Sequence, residues 1–277
     1  MTIKSKSNIK ELMKKLKLIL FSVLIFIILI SFLIKRTPYI FKREGTDETG
    51  IVMKVYDGDT IRVRFLNGKE EKIRFIGVNC PELDDEREEI RIFAHIAKRF
   101  TFVNLYKKKV ILTYDWELRD KYGRVLAYIW LKNDLFNEII IKKGFAFAFL
   151  KFPFKREFQM RFKKAEEWAR INKKGLWSIG REKVISPQET FNYINEYLSV
   201  KFICENIYFG RKYIFLDSSR DYAHTFSVLI PITEKLKFGN ISKFNNKILI
   251  ARGLIERYKK KTQMIVFSPL QLKLLNN

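Results

Sequence analysis

Apolar and polar residues alternate in three short runs after the first 49 residues, and this pattern predicts three β-strands. The runs span 50–56, 60–66 and 71–78. Asn67 and Gly68 separate the second run from the third. An Asn-Gly pair between alternating runs is a strong hairpin signal, because both residues tolerate the backbone conformation of a tight turn. We therefore expect a β-hairpin sheet at the start of the main body.

The hydrophobic period then changes, which predicts a mixture of helices and strands. Apolar residues recur at helical spacing in two long segments, and the second of these is rich in lysine and arginine. A shorter helix is expected to end at Gly144. The predicted elements are strands at 109–114 and 124–131 and helices at 87–106, 136–143 and 155–174.

The last third of the chain contains short alternating runs without a long helical pattern. Predicted strands lie at 197–208, 212–217, 225–231, 246–258 and 263–267. Five short strands separated by turn residues favour a small β barrel. We therefore expect a second body of β-structure after a linker.

The amino terminus has a pattern of its own. A basic segment, 1–17, precedes an apolar run, 18–34, in which Ser22 and Ser31 are the polar breaks. A run of about 17 apolar residues is close to the length of a membrane-spanning helix. Two alternatives stay open, a cleaved signal peptide and a buried helix. The lysines before the run favour a single-pass anchor with the body on the extracytoplasmic side.

Composition narrows the set of partners. The formal net charge of the 277 residues is +24, and 47% of them are hydrophobic. A chain with this composition can fill an apolar core, and its charge favours polyanionic partners. Charge alone does not choose between nucleic acid and an anionic lipid surface. No protein partner is inferred.

Polar residues interrupt the first predicted sheet in a pattern that suits phosphodiester chemistry. Asp57 and Asp59 open the second strand, and Arg74, Asn79 and Glu82 follow on or after the third. Carboxylate and amide oxygens suit hard divalent cations, and arginines suit phosphate. Taken alone, Asp-Gly-Asp-Thr is a common turn sequence, so the prediction depends on the whole set.

A third motif, residues 120–130, adds an arginine after a turn. It reads Asp-Lys-Tyr-Gly-Arg-Val-Leu-Ala-Tyr-Ile-Trp. Together the three motifs resemble the staphylococcal-nuclease-like, or thermonuclease, family over roughly residues 50–178. The resemblance implies an OB-like five-stranded barrel with packed helices and a calcium-dependent nuclease acting on DNA or RNA with little sequence specificity.

The resemblance also implies roles for individual residues. It implies that Asp59 ligates the metal, that Arg74 and Arg124 hold the phosphate, and that Glu82 is the general base. Asn79 stands where the family has a second metal-binding aspartate, and Cys80 stands where a threonine offers its backbone carbonyl. Because calcium affinity depends on ligand charge, Asn79 predicts weak calcium binding or another divalent metal.

Four further residues are candidates for substrate binding. Lys121 and Tyr122 neighbour Arg124 and are expected at the terminal phosphate. Phe152 lies where the family places aromatic residues against the base, and Phe149 is a second candidate. A core strand explains the alternating phenylalanines of 145–152 equally well.

The predicted second barrel resembles OB-fold domains that bind nucleic acid, less specifically than the first motifs resemble nucleases. Tyr213, Phe215 and Phe226 are expected to form a base-stacking platform, and the lysines of 259–261 to contact phosphate. The alternative is an ordinary barrel core with a solvated lysine turn.

The sequence therefore predicts a mainly β protein with packed helices, of the α+β class, with two successive OB-like barrels. The predicted domains are an anchor at 1–36, a linker at 37–49, a nuclease-like domain at 50–178, a linker at 179–192 and a nucleic-acid-binding domain at 193–277. The predicted function is a membrane-anchored nuclease. The alternative is a catalytically weak nuclease-like module that only binds nucleic acid.

Overall fold

The computed structural model describes residues 47–178, 183–221 and 225–275. The predicted membrane anchor at 1–36 lies outside these residues. Within the described ranges, none of the helices combines the length and the apolar character needed to cross a bilayer.

The first half of the described chain contains eight strands and three α-helices. The strands are β1 (Glu48–Val55), β2 (Thr60–Phe65), β3 (Glu70–Phe75), β4 (Val78–Asn79), β5 (Lys109–Thr113), β6 (Val125–Leu131), β7 (Asp134–Leu135) and β8 (Phe147–Ala148). The helices are α1 (Glu88–Leu105), α2 (Phe136–Lys142) and α3 (Arg156–Ile171). The predicted hairpin at Asn67-Gly68 is present, since β2 and β3 pair as antiparallel neighbours.

Five of these strands close into a barrel. The sheet order is β3-β2-β1-β5-β6-β7, and a further parallel pairing joins β3 to β6. Closure turns alternate side chains inward, and Ile61, Ile73 and Leu112 are buried accordingly. One apolar face of α1, with Ile96 and Phe100, is buried as well. The mainly β fold with packed helices and the first five-stranded barrel agree with the prediction.

A buried asparagine at the start of α2 ties this helix to the barrel. The Asn137 side chain accepts a hydrogen bond from the Ile129 amide at 2.8 Å and donates to the Ile76 carbonyl at 2.9 Å. Both of these backbone groups lie in the interior, where an unpaired polar group costs free energy. Asn137 therefore fixes the residues that follow β3, which lead to the polar motif at Asn79.

The second half of the described chain contains nine strands in two sheets. The strands are β9 (Val184–Ile185), β10 (Tyr197–Ile203), β11 (Asn206–Phe209), β12 (Tyr213–Asp217), β13 (Phe226–Pro231), β14 (Ile248–Leu254), β15 (Glu256–Tyr258), β16 (Lys261–Ile265) and β17 (Leu272–Leu274). One sheet has the order β17-β14-β10-β9 and the other has β11-β12-β13-β16-β15. The inward-facing side chains of these strands form a single apolar cluster, which includes Val200, Leu216 and Met264.

The segment predicted as a second linker is partly structured. Val184 and Ile185 pair with β10, and residues Pro187–Tyr193 form a 3-10 helix. Thr190 is buried and shares a 2.6 Å hydrogen bond with Thr262. This segment therefore packs against the second half of the chain.

Ion pairs connect the second half of the chain to α1 and to the residues that follow α2 and α3. Arg99 on α1 makes a two-pronged contact with Glu256, at 2.6 and 2.8 Å. Glu196 accepts hydrogen bonds from Lys143 and Lys174 at 2.7 and 2.9 Å. Such paired contacts orient both partners better than a single hydrogen bond does.

Candidate active site

The loop from β1 to β2 carries a buried carboxylate that touches an arginine. Asp59 has 6% of its surface exposed. One of its carboxylate oxygens lies 2.9 Å from an Arg74 nitrogen, and the other accepts a hydrogen bond from the Cys80 amide at 2.8 Å. Thr60 and Arg74 are cross-strand partners, so the hairpin register brings Arg74 to Asp59. Three predicted site residues, Asp59, Arg74 and Cys80, thus meet in one place.

Gly58 allows the close packing of this loop. A Cβ atom at this position would lie 2.5 Å from the Cys80 sulfur and 2.8 Å from the Ala97 side chain. On the other side, the Thr101 hydroxyl donates a 2.6 Å hydrogen bond to the Gly58 carbonyl. Helix α1 therefore holds the backbone between Asp57 and Asp59 from behind.

The two carboxylates of this loop repel each other. Burial raises the pKa of Asp59 to about 7, Asp57 adds to the increase, and Arg74 opposes it. Burial is the largest cause of this increase, and Arg74 lowers the pKa more strongly than Asp57 raises it. A bound cation would relieve that repulsion, because an opposite charge favours the ionised form of a carboxylate.

Arg124 is positioned by its own turn. Its amide and its guanidinium both donate to the Asp120 carboxylate, at 3.0 and 2.7 Å. Two cations lie near the Tyr122 ring, with Arg124 at 5.3 Å and Lys121 at 5.0 Å from its centroid. Gly123 has a φ of 77° and so provides the left-handed conformation of this turn. Three further predicted residues thus lie together.

These groups and Arg74 line one cavity of about 270 Å³. We call it the arginine cleft. Its lining includes Arg74, Lys121, Tyr122, Arg124 and Phe152. Asp115, Phe149 and Phe154 also line it. Two arginines, a lysine and several rings around one cavity form a surface suited to a nucleotide, with its phosphate and its planar base.

Phe152 has an environment typical of a ligand-facing ring. It has 57% of its surface exposed, whereas Phe145 of the same segment is fully buried at 1%. Phe149 is half-buried, and its ring meets that of Phe152 edge to face with centroids 5.6 Å apart. Both alternatives for the segment 145–152 therefore apply in part. Phe145 belongs to the core, and Phe152 is an exposed ring.

Asn79 and Glu82 flank Cys80 but do not line the arginine cleft. Asn79 is half-buried in β4, where it pairs with Phe147 of β8. Glu82 is exposed in the loop that follows. Because Cys80 is bonded to Asp59, both residues are anchored close in sequence to the carboxylate pair.

The oxygen donors at this point fit a hard divalent cation. Asp57 and Asp59 supply carboxylates, Asn79 an amide oxygen and Cys80 a backbone carbonyl. Burial raises the pKa of the Cys80 thiol well above its usual value, so its sulfur is a poor ligand. In the described part of the chain, no three His, Cys, Asp or Glu side chains form a metal-binding group. Any cation here would therefore depend on the amide and the carbonyl.

Sequence reasoning missed three residues that shape this region. Asp120 orients Arg124, and its position at the start of an Asp-x-x-Gly turn is a recognisable signal, because aspartate caps such turns. Asp115 accepts hydrogen bonds from the Tyr128 hydroxyl and the Lys155 amide, at 2.6 and 2.9 Å. Neither Asp115 nor Thr101 has a local sequence signal, since both act on distant segments.

The residues predicted as a platform in the second half of the chain are divided by the structure. Phe226 is buried at 1%, inside the apolar cluster, so its assignment to an exposed platform is wrong. Strand alternation explains this, because Phe226, Val228 and Ile230 share the inward face of β13. Tyr213 and Phe215 remain half-exposed.

Comparison with known proteins supplies a family for this arrangement. Residues 72–179 match the family model described as staphylococcal nuclease homologue. The chain is 37% identical over 172 residues to the thermonuclease of Staphylococcus hyicus, an alignment that covers 60% of this chain and 99% of that protein.

Two further relatives extend the comparison. The thermonuclease of Staphylococcus intermedius is 35% identical over 140 residues, which is 50% of this chain and 82% of that protein. The endonuclease YncB of Bacillus subtilis is 29% identical over 126 residues, which is 45% of this chain and 59% of that protein.

Proposed function

This chain belongs to the staphylococcal nuclease family, and from that premise we propose that it is a phosphodiester hydrolase acting on DNA or RNA. The observation that carries the proposal is the contact between the buried Asp59 carboxylate and Arg74, which also lines the arginine cleft with Arg124. A nuclease needs a cationic surface for the phosphate beside oxygen donors for a cation. Arg74 connects the two, because it contacts Asp59 and also lines the cleft.

The arginines bind and stabilise the reacting phosphate. Each guanidinium presents a planar set of donors that matches two phosphate oxygens, and both are held in place by carboxylates. As negative charge increases on the phosphate oxygens, these positioned cations stabilise it without reorganising. Lys121 and Tyr122 contact the terminal phosphate, and Phe152 stacks on the adjacent base.

Glu82 acts as the general base. Its side chain is exposed, so a water molecule can reach it, and it follows Asn79 and Cys80 in the same loop. It accepts the proton of the water that attacks phosphorus. The oxygen on the opposite side of phosphorus then leaves.

We also propose a divalent cation, calcium in the first place, held by Asp59, Asn79 and the Cys80 carbonyl. When bound, it would supply positive charge beside the phosphate. With an amide in place of a second carboxylate at Asn79, we expect weaker binding than in an all-carboxylate site. A magnesium or manganese ion is the alternative occupant.

The proposal for the location rests on the sequence of the amino terminus alone. We propose that the apolar run 18–34 anchors the chain in the membrane by a single pass, with the body on the extracytoplasmic side. The bilayer is then a partner of the segment 1–36, and nucleic acid is a partner of the body.

A second candidate function is a binding module without turnover. Asn79 favours it, because the site then has fewer acidic ligands than a strong metal site. Asp59, Arg74, Glu82 and Arg124 favour the enzyme, because loss of catalysis would leave no need for all four.

Cleavage of fluorescent single-stranded DNA by the full chain tests the proposal. The assay compares calcium, magnesium, manganese and a chelator, for the unchanged chain, Glu82→Gln and the control Glu86→Gln. Glu86 is an exposed acid of the same loop. We expect metal-dependent cleavage that Glu82→Gln reduces by about 10²–10⁴-fold and Glu86→Gln leaves unchanged. Salt-sensitive binding without cleavage in any metal would favour the binding module.

A further inference from the structure

The sheet β11-β12-β13-β16-β15 has a second, outward face that carries its own chemistry. Strand alternation turns Ile214 and Leu216 inward, and the same alternation turns Tyr213, Phe215 and Asp217 outward. A cavity of about 570 Å³ lies on this face. We call it the outer groove. It is lined by Arg99, Asn206, Tyr208, Tyr213, Phe215, Asp217, Leu229, Tyr258, Lys261, Gln263 and Ile265.

Strand register arranges the lining in rows. Tyr208 pairs with Phe215, Phe215 with Leu229, and Leu229 with Ile265. This gives an apolar row across four strands, with aromatic rings at its exposed end. Tyr208 is 60% exposed, and its ring centroid lies 5.8 Å from that of Phe215. Tyr213 meets Phe215 edge to face at 6.4 Å.

A polar row runs beside the apolar one, two residues away on each strand. Its members, in order across the sheet, are Asn206, Asp217, Ser227, Gln263 and Glu256. Ser227 donates to Asp217 at 2.6 Å, and Gln263 donates to Glu256 at 3.2 Å. These bonds hold the amides and carboxylates in fixed orientations on the floor of the groove.

Both acids in the polar row have partners of their own. Glu256 is paired with Arg99 through two hydrogen bonds, and Asp217 is bonded to Ser227. Lys261 is buried beside this row and donates to Ser227 at 3.1 Å. The two acids are balanced by two cations of the same lining, since Arg99 pairs with Glu256 and Lys261 interacts with Asp217, so the groove has no excess of negative charge.

Cations surround the groove at both ends of the sheet. Arg211 and Lys212 are exposed in the turn before Tyr213. Lys259 and Lys260 are exposed in the turn between Tyr258 and Lys261. Exposed aromatic rings between cationic turns match a chain that alternates planar bases with negative phosphates.

We propose that the outer groove binds single-stranded nucleic acid, with bases stacked on Tyr208, Phe215 and Tyr258 and phosphates on the lysines of the two turns. Polar atoms of the row between the rings face the edges of the stacked bases. Asn and Gln side chains offer both donors and an acceptor to such edges. A duplex has no exposed base faces, so the groove selects single strands.

This inference goes beyond the proposed hydrolase, because the groove shares no lining residue with the arginine cleft. Binding here does not depend on turnover. It gives the chain a second contact with the same polymer and thereby raises the effective concentration of substrate at the cleft.

Binding of the full chain to a fluorescent 15-nucleotide oligothymidine, measured in chelator, tests the proposal. The variants are Tyr208→Ala and Tyr258→Ala, and the control is Phe209→Ala. Phe209 follows Tyr208 on the same strand, is 51% exposed and does not line the groove. We expect about tenfold weaker binding for each tyrosine variant and no change for the control. Thermal unfolding of each variant verifies the fold.

Photo-crosslinking identifies which site holds the oligonucleotide. The same oligomer carrying 5-iodouracil is irradiated with the full chain, and modified peptides are mapped by mass spectrometry. We expect modified residues in 206–215 and 256–265 in addition to the arginine cleft. Crosslinks confined to the cleft, unchanged affinity in both tyrosine variants, or equal affinity for poly-glutamate would each overturn the proposal. Absent cleavage would concern the hydrolase alone, since turnover is not measured.

Discussion

The arginine cleft and the outer groove both combine aromatic rings with cations, but the acidic residues near them have different environments. Each combines exposed rings with cations on a β-sheet surface. Beside the cleft, Asp59 is buried against Arg74, and the second carboxylate of the loop, Asp57, accepts a hydrogen bond from the Asp59 amide. In the groove, Glu256 is satisfied by Arg99 and Asp217 by Ser227.

We propose that this difference separates the surface that cleaves the substrate from the surface that only binds it. Stacking and cationic contacts bind a polymer at either place. Beside the cleft, Asp57 and Asp59 offer carboxylates to a cation, and Glu82, the proposed base, follows in the loop after β4. The comparison suggests that chemistry resides in the first barrel and that the second half of the chain contributes affinity.

The largest expected effect is on catalysis at the cleft. Arg124→Lys should lower the rate of DNA cleavage by about 10³-fold, because lysine cannot replace a planar guanidinium held by Asp120. The control is Arg119→Lys, in the same loop but paired with Glu71 outside the cleft. Initial rates at saturating substrate measure the effect. Comparable activity of the two variants would remove Arg124 from the mechanism.

A large effect on stability is expected where the groove meets α1. Glu256→Gln should lower the free energy of unfolding by about 3 kcal/mol, because it leaves the partly buried Arg99 without its counter-charge. Urea denaturation of the full chain measures this. The control is Glu234→Gln, which removes the charge of a half-buried acid paired with the exposed Lys237, and the expected loss is below about 1 kcal/mol. Equal losses in the two variants would mean that the pair of Arg99 with Glu256 contributes no more to stability than the pair of Lys237 with Glu234.

A smaller effect is expected on substrate binding in the cleft. Phe152→Ala should raise the KM for a short oligonucleotide about tenfold, because one stacking contact is lost, with little change in kcat. Phe191 offers a control, since its ring is 49% exposed and outside the cleft. Steady-state kinetics separate the two parameters. A loss in kcat alone would mean that Phe152 does not contribute to binding of the substrate in its ground state.

The smallest effect concerns the metal. Asn79→Asp should lower the calcium concentration for half-maximal cleavage several-fold, because a carboxylate adds charge to the ligand set. Asn133→Asp adds the same charge at an exposed turn and serves as the control. A calcium titration of the cleavage rate distinguishes them. An unchanged midpoint in Asn79→Asp would argue against Asn79 as a ligand.

Local signals in the sequence were sufficient for much of the first barrel. The Asn67-Gly68 turn and the alternating runs predicted β2 and β3, and the helical spacing at 87–106 predicted α1. These patterns depend on neighbours a few residues apart, which the sequence displays directly. The parallel pairing of β3 with β6, which closes the barrel, joins distant segments and has no local signal.

The residues that face the outer groove could not be predicted from local sequence patterns. Tyr208 and Tyr258 were not predicted to face a ligand, and Phe226 was assigned to the wrong face. A shift of one residue in strand phase exchanges the inner and outer faces of a strand. The correct phase of β13 is set by its partners β12 and β16, which lie elsewhere in the chain.

The central claim is that the site at the cleft cleaves the substrate and the outer groove adds affinity. The most direct test of this claim compares short and long substrates. Cleavage of a trinucleotide and of a 40-nucleotide single strand is measured as kcat/KM for the unchanged chain, Glu82→Gln and the double variant Tyr208→Ala/Tyr258→Ala. We predict that Glu82→Gln loses activity on both substrates, whereas the double variant loses it only on the long strand. Equal losses on both substrates in the double variant, or full activity in Glu82→Gln, would contradict the account.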